Sequence, residues 1–125
     1  MEKGRIAIPS AMPGGLEAGI GQHFGHCDIY TLVDVENGAV ANVATLANVP
    51  HQQGGCMAPV NHLAGNGVNL LIAGGMGMRP LMGFQQVGIE VYTCGEVGSV
   101  GEAVDALLAG RLRRFTPEQT CGGGR

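Results

Sequence analysis

The stretch IYTLVDVENGAVANVATLA, residues 29–47, decides the fold. Residues 29–36 and 39–47 have the alternation of two strands, and Asn37-Gly38 between them is a strong short signal for a hairpin. Upstream, Arg5 to Pro9 predicts a first strand with alternating isoleucines, and the proline marks its end or its edge. We therefore expect these three strands to form an antiparallel meander.

Downstream of the hairpin, apolar runs typical of buried strands alternate with apolar residues at helical spacing. A serine with a glutamate three residues later predicts a capping box at the start of the last helix. The predicted elements are a helix from Met57 to Gly65 or Gly67, a strand from Asn69 to Ala73, a helix from Pro80 to Gln86, a strand from Ile89 to Thr93, and a helix from Ser99 to Gly110.

This order predicts an α/β fold with a five-stranded mixed sheet, in which two parallel crossover strands join the three antiparallel ones. The chain of 125 residues is long enough to bury a core without disulfides. We expect a single domain over residues 1–112 and a flexible Gly/Cys tail over residues 113–125. Ligands of such sheets bind where strands end, which points to the loops Ser10–Cys27 and Gly74–Pro80.

Composition excludes several classes of function. A net charge of −3 with seven Lys and Arg argues against nucleic-acid binding, which needs a basic surface. The apolar run at residues 70–73 is far too short to cross a membrane, and the first residues lack the apolar core of a secretory signal. We therefore expect a cytoplasmic protein without a membrane partner, whose four cysteines, none in a Cys-x-x-Cys pair, are free thiols.

The first candidate site is His23-Phe24-Gly25-His26-Cys27-Asp28. It combines imidazoles, a thiol and a carboxylate, and thiolate with imidazole suits copper, zinc and iron-sulfur chemistry. In the alternative reading the histidines make structural hydrogen bonds and Cys27 packs inside as the next strand begins. Adjacent ligands seldom complete a coordination sphere alone, so the residues by themselves leave both readings open.

The second candidate site is Gly74-Gly75-Met76-Gly77-Met78-Arg79-Pro80, between a strand and a helix. Its glycines allow backbone N–H groups to converge on an anion, and Arg79 adds a positive charge. The segment lacks the third glycine of a dinucleotide fingerprint and the Gly-Lys-Ser/Thr of a phosphate-binding loop. A tight turn with no ligand is the alternative. A nucleotide- or anion-binding regulatory module is a further functional reading of the same loop.

Two other thiols are candidate metal ligands. Cys56 stands at a predicted helix start near His51, where a thiolate would be stabilised, and Cys121 lies in the glycine-rich tail. Cys56 can equally be a small core residue, and the tail can be a flexible end. A cysteine enzyme using Cys27 or Cys56 with a histidine is a rival reading, although no orienting group or oxyanion motif accompanies them. For Cys94 and His62 we expect structural roles.

Several of these segments together resemble a known family. Ile6-Ala-Ile8, His23-Phe-Gly-His26, the run from Leu71 to Pro80, Gly88-Ile-Glu-Val-Tyr92 and Ala109-Gly-Arg-Leu112 stand in family order and spacing. The chain from about residue 4 to 112 is thus similar to the dinitrogenase iron-molybdenum cofactor biosynthesis family. That family contains the cluster carriers of nitrogen fixation and the molybdenum-copper orange protein.

The resemblance implies a ribonuclease-H-like three-layer fold and non-catalytic binding or carriage of an anionic metal-sulfur cluster containing Mo with Fe or Cu. It implies partners that donate or accept the cluster, and an exposed third strand allows a homodimer. The implied contacts are His23, Phe24, Gly25, His26, Gly74, Gly75, Met76, Gly77, Met78 and Arg79. Our candidate metal ligands are His23, His26, Cys27, Cys56 and Cys121. Cys27, the loop His51–Cys56 and the tail do not map onto the carriers, which leaves the kind of cluster open.

Overall fold

The computed structural model describes residues 3–20, 29–48, 57–76, 78–94 and 97–116. Its strands are β1 (Lys3–Ser10), β2 (Ile29–Glu36), β3 (Ala39–Ala47), β4 (Leu70–Ala73) and β5 (Glu90–Thr93), and its helices are α1 (Met57–Gly65), α2 (Met78–Val87) and α3 (Val100–Leu108). This confirms the predicted order of elements. None of these helices is long and apolar enough to span a membrane.

The strands form one five-stranded mixed sheet in the order β3-β2-β1-β4-β5. β2 pairs antiparallel with both β1 and β3, whereas β4 runs parallel to β1 and to β5. The predicted mixed α/β sheet is therefore confirmed, and its finer assignment as ribonuclease-H-like stays a prediction. Asn37 (φ 56°) and Gly38 (φ 76°) both have the positive φ that a two-residue hairpin turn requires, so the predicted hairpin is confirmed.

Helices pack on both faces of the sheet. On one face, Leu63 of α1 and Phe84 of α2 are in a buried cluster with Leu71 of β4. On the other face, Val104 of α3 is in a second cluster with Ile72 of β4. Because neighbouring residues of β4 point into different clusters, this strand is buried on both sides, as its continuous apolar run predicted. Each fully buried large side chain contributes about 1.5–3 kcal/mol to folding.

Two proline-based boundaries were wrong by one or two residues. β1 continues through Pro9 to Ser10, since Pro9 pairs with Tyr30 on β2 while the register with β4 extends only to Ala7 and Leu71. The missing N–H of Pro9 therefore interrupts no bond to β4. Helix α2 begins at Met78 rather than at Pro80, because a proline anywhere in the first turn removes no bond within the helix.

The described start of the tail packs against β5. The Thr93 amide donates to the carbonyl oxygen of Arg113 at 2.8 Å, and the Phe115 amide donates to that of Val91 at 2.8 Å. The Phe115 side chain is 5% exposed. Packing against β5 thus continues to Phe115, beyond the predicted domain boundary at residue 112. That boundary was placed where the sequence loses its periodicity. Residues 117–125 lie outside the described part, and flexibility there stays a prediction.

β3 forms one outer edge of the sheet. Its nine residues include no charged side chain, and Val40 and Val43 are exposed. Within the described ranges no other strand pairs with its outer side. An uncharged edge strand can pair with another chain through its free backbone groups. The expected homodimer has this physical basis, and it stays a prediction.

Candidate functional site

Five strand ends lie at the same edge of the sheet. Ser10, at the end of β1, is opposite Ile29, where β2 begins, and Ile29 is in turn opposite Ala47, where β3 ends. Because β4 and β5 run parallel to β1, their last residues Ala73 and Thr93 lie at this edge too. We call it the carboxyl edge. Four of the five strand ends, all but that of β5, adjoin a segment that contains predicted ligands or leads directly to them.

Three predicted binding segments adjoin strand ends or loop residues at this edge. The segment 21–28 follows Ile20, which forms an isolated bridge with Ser10, and it ends before Ile29. The segment 49–56 follows the end of β3, and the glycine-methionine loop follows β4. The candidates that lie outside the described residues are His23, Phe24, Gly25, His26, Cys27, Cys56, Gly77 and Cys121. Their roles stay predictions.

The described part of the glycine-methionine loop divides into buried and accessible residues. Gly74 and Arg79 are exposed, and Met78 is half-buried. Met76 is fully buried and belongs to the same core cluster as Leu81 of α2. The Met76 side chain thus packs in the core, and its predicted contact with a ligand stays a prediction. A methionine between glycines carries no sequence signal that separates these two roles.

Arg79 brings to the carboxyl edge a positive charge that has no ion-pair partner in the described ranges. Among the described residues, the ion pairs are Arg5 with Asp34 at 2.7 Å and Arg114 with Glu90 at 2.8 Å, and neither includes Arg79. The first turn of α2 also contains no acidic residue. The partial positive charge of this helix N-terminus and the guanidinium therefore reinforce each other. Both favour an anion.

The N-terminus of α3 is satisfied by the protein itself. Ser99 Oγ accepts the Glu102 amide at 3.2 Å, and Glu102 Oε1 accepts the Gly98 amide at 2.9 Å. The predicted cap at Ser99 is thus confirmed, whereas the glutamate accepts the amide of Gly98 and not that of Ser99 itself, as a full capping box would require. The carbonyl oxygens of Ala18 and Leu16 accept the next two amides, those of Val100 and Gly101, at 2.9 and 2.7 Å. Of these two helix N-termini, that of α2 is therefore the better place for a bound anion.

The described residues contain no group of three or more His, Cys, Asp and Glu arranged to hold a metal ion. Burial raises the pKa of the half-buried Cys94 thiol, so this residue stays protonated at neutral pH and is a poor nucleophile. His62 Nε2 lies 2.9 Å from the carbonyl oxygen of Ala47 and links α1 to the end of β3. Both findings agree with the structural roles expected for Cys94 and His62.

Comparisons with known proteins agree with this architecture. The uncharacterized protein MJ0580 of Methanocaldococcus jannaschii is 30% identical over 95 residues, which cover 74% of this chain and 80% of that protein. The solved structure of TM1290 from Thermotoga, a protein of the DUF35 family, superposes with a TM-score of 0.73 at 32% identity and covers 90% of this chain and 97% of that one.

The apo form of the orange protein from Desulfovibrio gigas has a TM-score of 0.76 at 25% identity, covering 90% of this chain and 92% of that one. The model of the family described as dinitrogenase iron-molybdenum cofactor matches residues 4–110. This match spans the sheet and all three helices, including the carboxyl edge. The chain therefore belongs to the dinitrogenase iron-molybdenum cofactor family, as its sequence motifs predicted.

Proposed function

We propose that this protein binds an anionic, sulfide-rich metal cluster at the carboxyl edge and carries it, in the cytoplasm, between proteins that donate and accept it. The cluster contains molybdenum with iron or copper, and no substrate is turned over. One observation carries the proposal. Arg79 and the N-terminus of α2 present positive charge, with no ion-pair partner among the described residues, at the edge from which the predicted ligand segments leave.

The chemistry of this edge suits such a cargo. A cluster with several negative charges is stabilised by guanidinium and backbone N–H donors, whereas sulfide-bridged metals prefer soft sulfur and imidazole ligands. Arg79 supplies the first kind of contact, and the half-buried Met78 has a thioether next to it in the chain. His23, His26, Cys27 and Cys56 are the proposed ligands of the second kind. The site thus combines charge recognition with ligation.

The comparisons support cargo binding. The matching family is named for the iron-molybdenum cofactor, and the orange protein has the same fold at 25% identity. We therefore favour binding over the rival reading as an enzyme.

The test is metal content with a visible absorption spectrum after anaerobic purification. Apoprotein is then titrated with tetrathiomolybdate, a sulfide-rich molybdenum anion, alone and with copper(I). We expect charge-transfer bands and molybdenum that remains bound through gel filtration. A protein that stays colourless and retains no molybdenum contradicts the proposal. Retention of inorganic phosphate or a nucleotide by such a protein would favour the anion-binding regulatory module.

A variant at Cys27 tests whether this thiol is one of the proposed metal ligands. Cys27→Ala removes the thiol nearest to the two predicted histidine ligands and leaves Arg79 in place. We expect tetrathiomolybdate still to bind, with altered charge-transfer bands in the presence of copper(I). An unchanged spectrum removes Cys27 from the ligands. Cys94→Ser is the matched control, because this half-buried thiol is predicted to have a structural role.

A further inference from the structure

Two hydroxyl groups lie buried beneath the loop that leads to the first binding segment. Ser10 at the end of β1 is 2% exposed and Thr31 on β2 is fully buried, and they are the buried polar side chains of the described residues. Their oxygens are 2.8 Å apart. Apolar side chains surround them on this face, where Ile8 is directly opposite Thr31. Burying two hydroxyls there is unfavourable unless each is hydrogen-bonded.

The hydrogen bonds of this pair run in one direction. Ser10 Oγ donates its proton to the carbonyl oxygen of Ile8 at 2.7 Å, which can only accept. Thr31 must then be the donor in the bond between the two hydroxyls. With its proton used, Thr31 Oγ1 accepts the amide of Gly15 at 3.0 Å. A chain of three bonds thus connects the loop amide to the strand backbone.

The loop 11–20 is held on its other side as well. A Cβ on Gly14 would come within 2.7 Å of Ile29 Cδ1 and 2.8 Å of Thr45 Cγ2, so the backbone there packs closely on side chains of β2 and β3. The carbonyl oxygens of Leu16 and Ala18 accept the first amides of α3. The loop is therefore fixed between the sheet and α3. It ends at Ile20, immediately before the segment with His23 and His26.

We propose that Thr31 and Ser10 are positioning residues, which hold the loop 11–20 in place and thereby fix the position of Ile20, the last described residue before the proposed ligands His23 and His26. They act through the Gly15 amide and do not touch the cargo. Valine has nearly the same volume as threonine. Thr31→Val therefore removes the hydrogen bonds of the hydroxyl and leaves the space filled. The effect on cargo affinity rests on the proposed function, whereas the effect on the loop does not.

The experiment compares Thr31→Val with Thr31→Ser. Thr31→Val leaves the Gly15 amide without its acceptor, and we expect its hydrogen exchange to accelerate about tenfold or more. We expect the affinity for tetrathiomolybdate with copper(I) to fall by about the same factor. Thr31→Ser restores the hydroxyl, and we expect it to return both values to within about threefold of wild type.

Val33→Ala is the matched control for stability, since Val33 is fully buried on the same strand and belongs to the α3-side core. We expect it to lower the unfolding midpoint and to leave cargo affinity and Gly15 protection in the native state unchanged. Unchanged Gly15 exchange in Thr31→Val overturns the positioning role. So does a lost affinity that Thr31→Ser does not recover. If wild type takes up no cargo, the proposed function fails, while the exchange measurement still decides the role of Thr31.

Discussion

The guanidinium of Arg5 on β1 donates from Nε to Oδ1 of Asp34 on β2 at 2.7 Å. The same side chain donates from a terminal nitrogen to the carbonyl oxygen of Asn66, just after α1, at 2.8 Å. Arg5 therefore connects two strands and the end of a helix at the edge opposite the carboxyl edge. The hydrogen bond between Arg5 and Asp34 lowers the pKa of Asp34 below its ordinary value of 3.8 and raises the pKa of Arg5.

We predict that Asp34→Asn lowers the free energy of unfolding at neutral pH by about 1 kcal/mol, a value reduced by the solvent exposure of the pair. Because the folded state has the lower pKa, the carboxylate stabilises the protein above pH 3.8 and loses that effect as the pH falls through the lowered pKa. Urea unfolding of both proteins at neutral pH and at about pH 2.5 measures this change.

The difference in stability between wild type and Asp34→Asn should therefore shrink in acid. Asp105→Asn is the control, since Asp105 is an exposed acid on α3 that makes no ion pair with the described residues. A difference for Asp34→Asn that is the same at both pH values would contradict the assignment of the stabilisation to the ionised carboxylate.

Substitutions of Gly14 and Gly15 separate the cost of backbone strain from the cost of a steric clash in the loop 11–20. Both have positive φ, 81° and 96°, but a Cβ meets Ile29 and Thr45 only at Gly14 and nothing within 4 Å at Gly15. We expect Gly15→Ala to cost about 1–2 kcal/mol from backbone strain alone. Gly14→Ala should cost about 1 kcal/mol more, because the side chains of Ile29 and Thr45 must shift to make room for the Cβ. Denaturant midpoints compare the two variants, and equal losses would contradict the close contact at Gly14.

Local signals account for the parts of the fold that the sequence predicted well. The turn at Asn37-Gly38 and the N-cap at Ser99 each depend on residues a few positions apart, and both occur in the structure as predicted. Pro9 and Phe115 were assigned less well. Whether Pro9 interrupts a ladder and whether Phe115 is buried depend on which strand lies alongside, and that is decided by residues far away in the chain.

The site was predictable only as a location. The rule that ligands bind where strands end led to the loop after β4, and the structure places Arg79 there without a partner among the described residues. The burial of Met76 follows from packing that spacing does not reveal. Thr31 was missed because its partners Ser10 and Gly15 are 21 and 16 residues away. A threonine next to apolar strand residues was the one available signal.

Phe115 tests where the domain ends. We expect Phe115→Ala to lower the free energy of unfolding by about 3 kcal/mol, since it leaves a cavity in the core. A chain that ends at Thr116 should unfold at the wild-type midpoint, whereas one that ends at Leu112 should lose the Phe115 contacts and both hydrogen bonds to β5. Thermal unfolding measures all three variants. Equal midpoints for the two truncated chains would contradict a domain that includes Phe115.

The chain that ends at Thr116 also tests Cys121 as a ligand. The segment from Arg113 to Phe115 runs antiparallel to β5, and so it leads away from the carboxyl edge. This direction gives no support to a thiol from the tail at the site. We expect the shortened chain to bind tetrathiomolybdate with copper(I) as tightly as wild type. A lost charge-transfer band would instead restore Cys121 to the ligands.

Arg79 tests the charge recognition of the cargo. We expect Arg79→Gln to weaken the binding of tetrathiomolybdate about tenfold, because one charge-assisted hydrogen bond to an anion contributes about 1.4 kcal/mol. Arg79→Lys keeps the charge without the planar donor geometry and should lose less. Raising the salt concentration should weaken wild type more than Arg79→Gln, since the variant has already lost a screened charge. Equilibrium titration followed by absorption measures each affinity.

Arg111→Gln is the matched control for net charge. Arg111 is exposed and makes no ion pair with the described residues, but it follows the C-terminal end of α3. The N-terminal end of that helix is the one tied to the loop 11–20 at the carboxyl edge. If the anion responds only to net charge, the two glutamine variants will weaken binding equally. A loss confined to Arg79→Gln, with unfolding midpoints unchanged in both, requires a local contact at the start of α2.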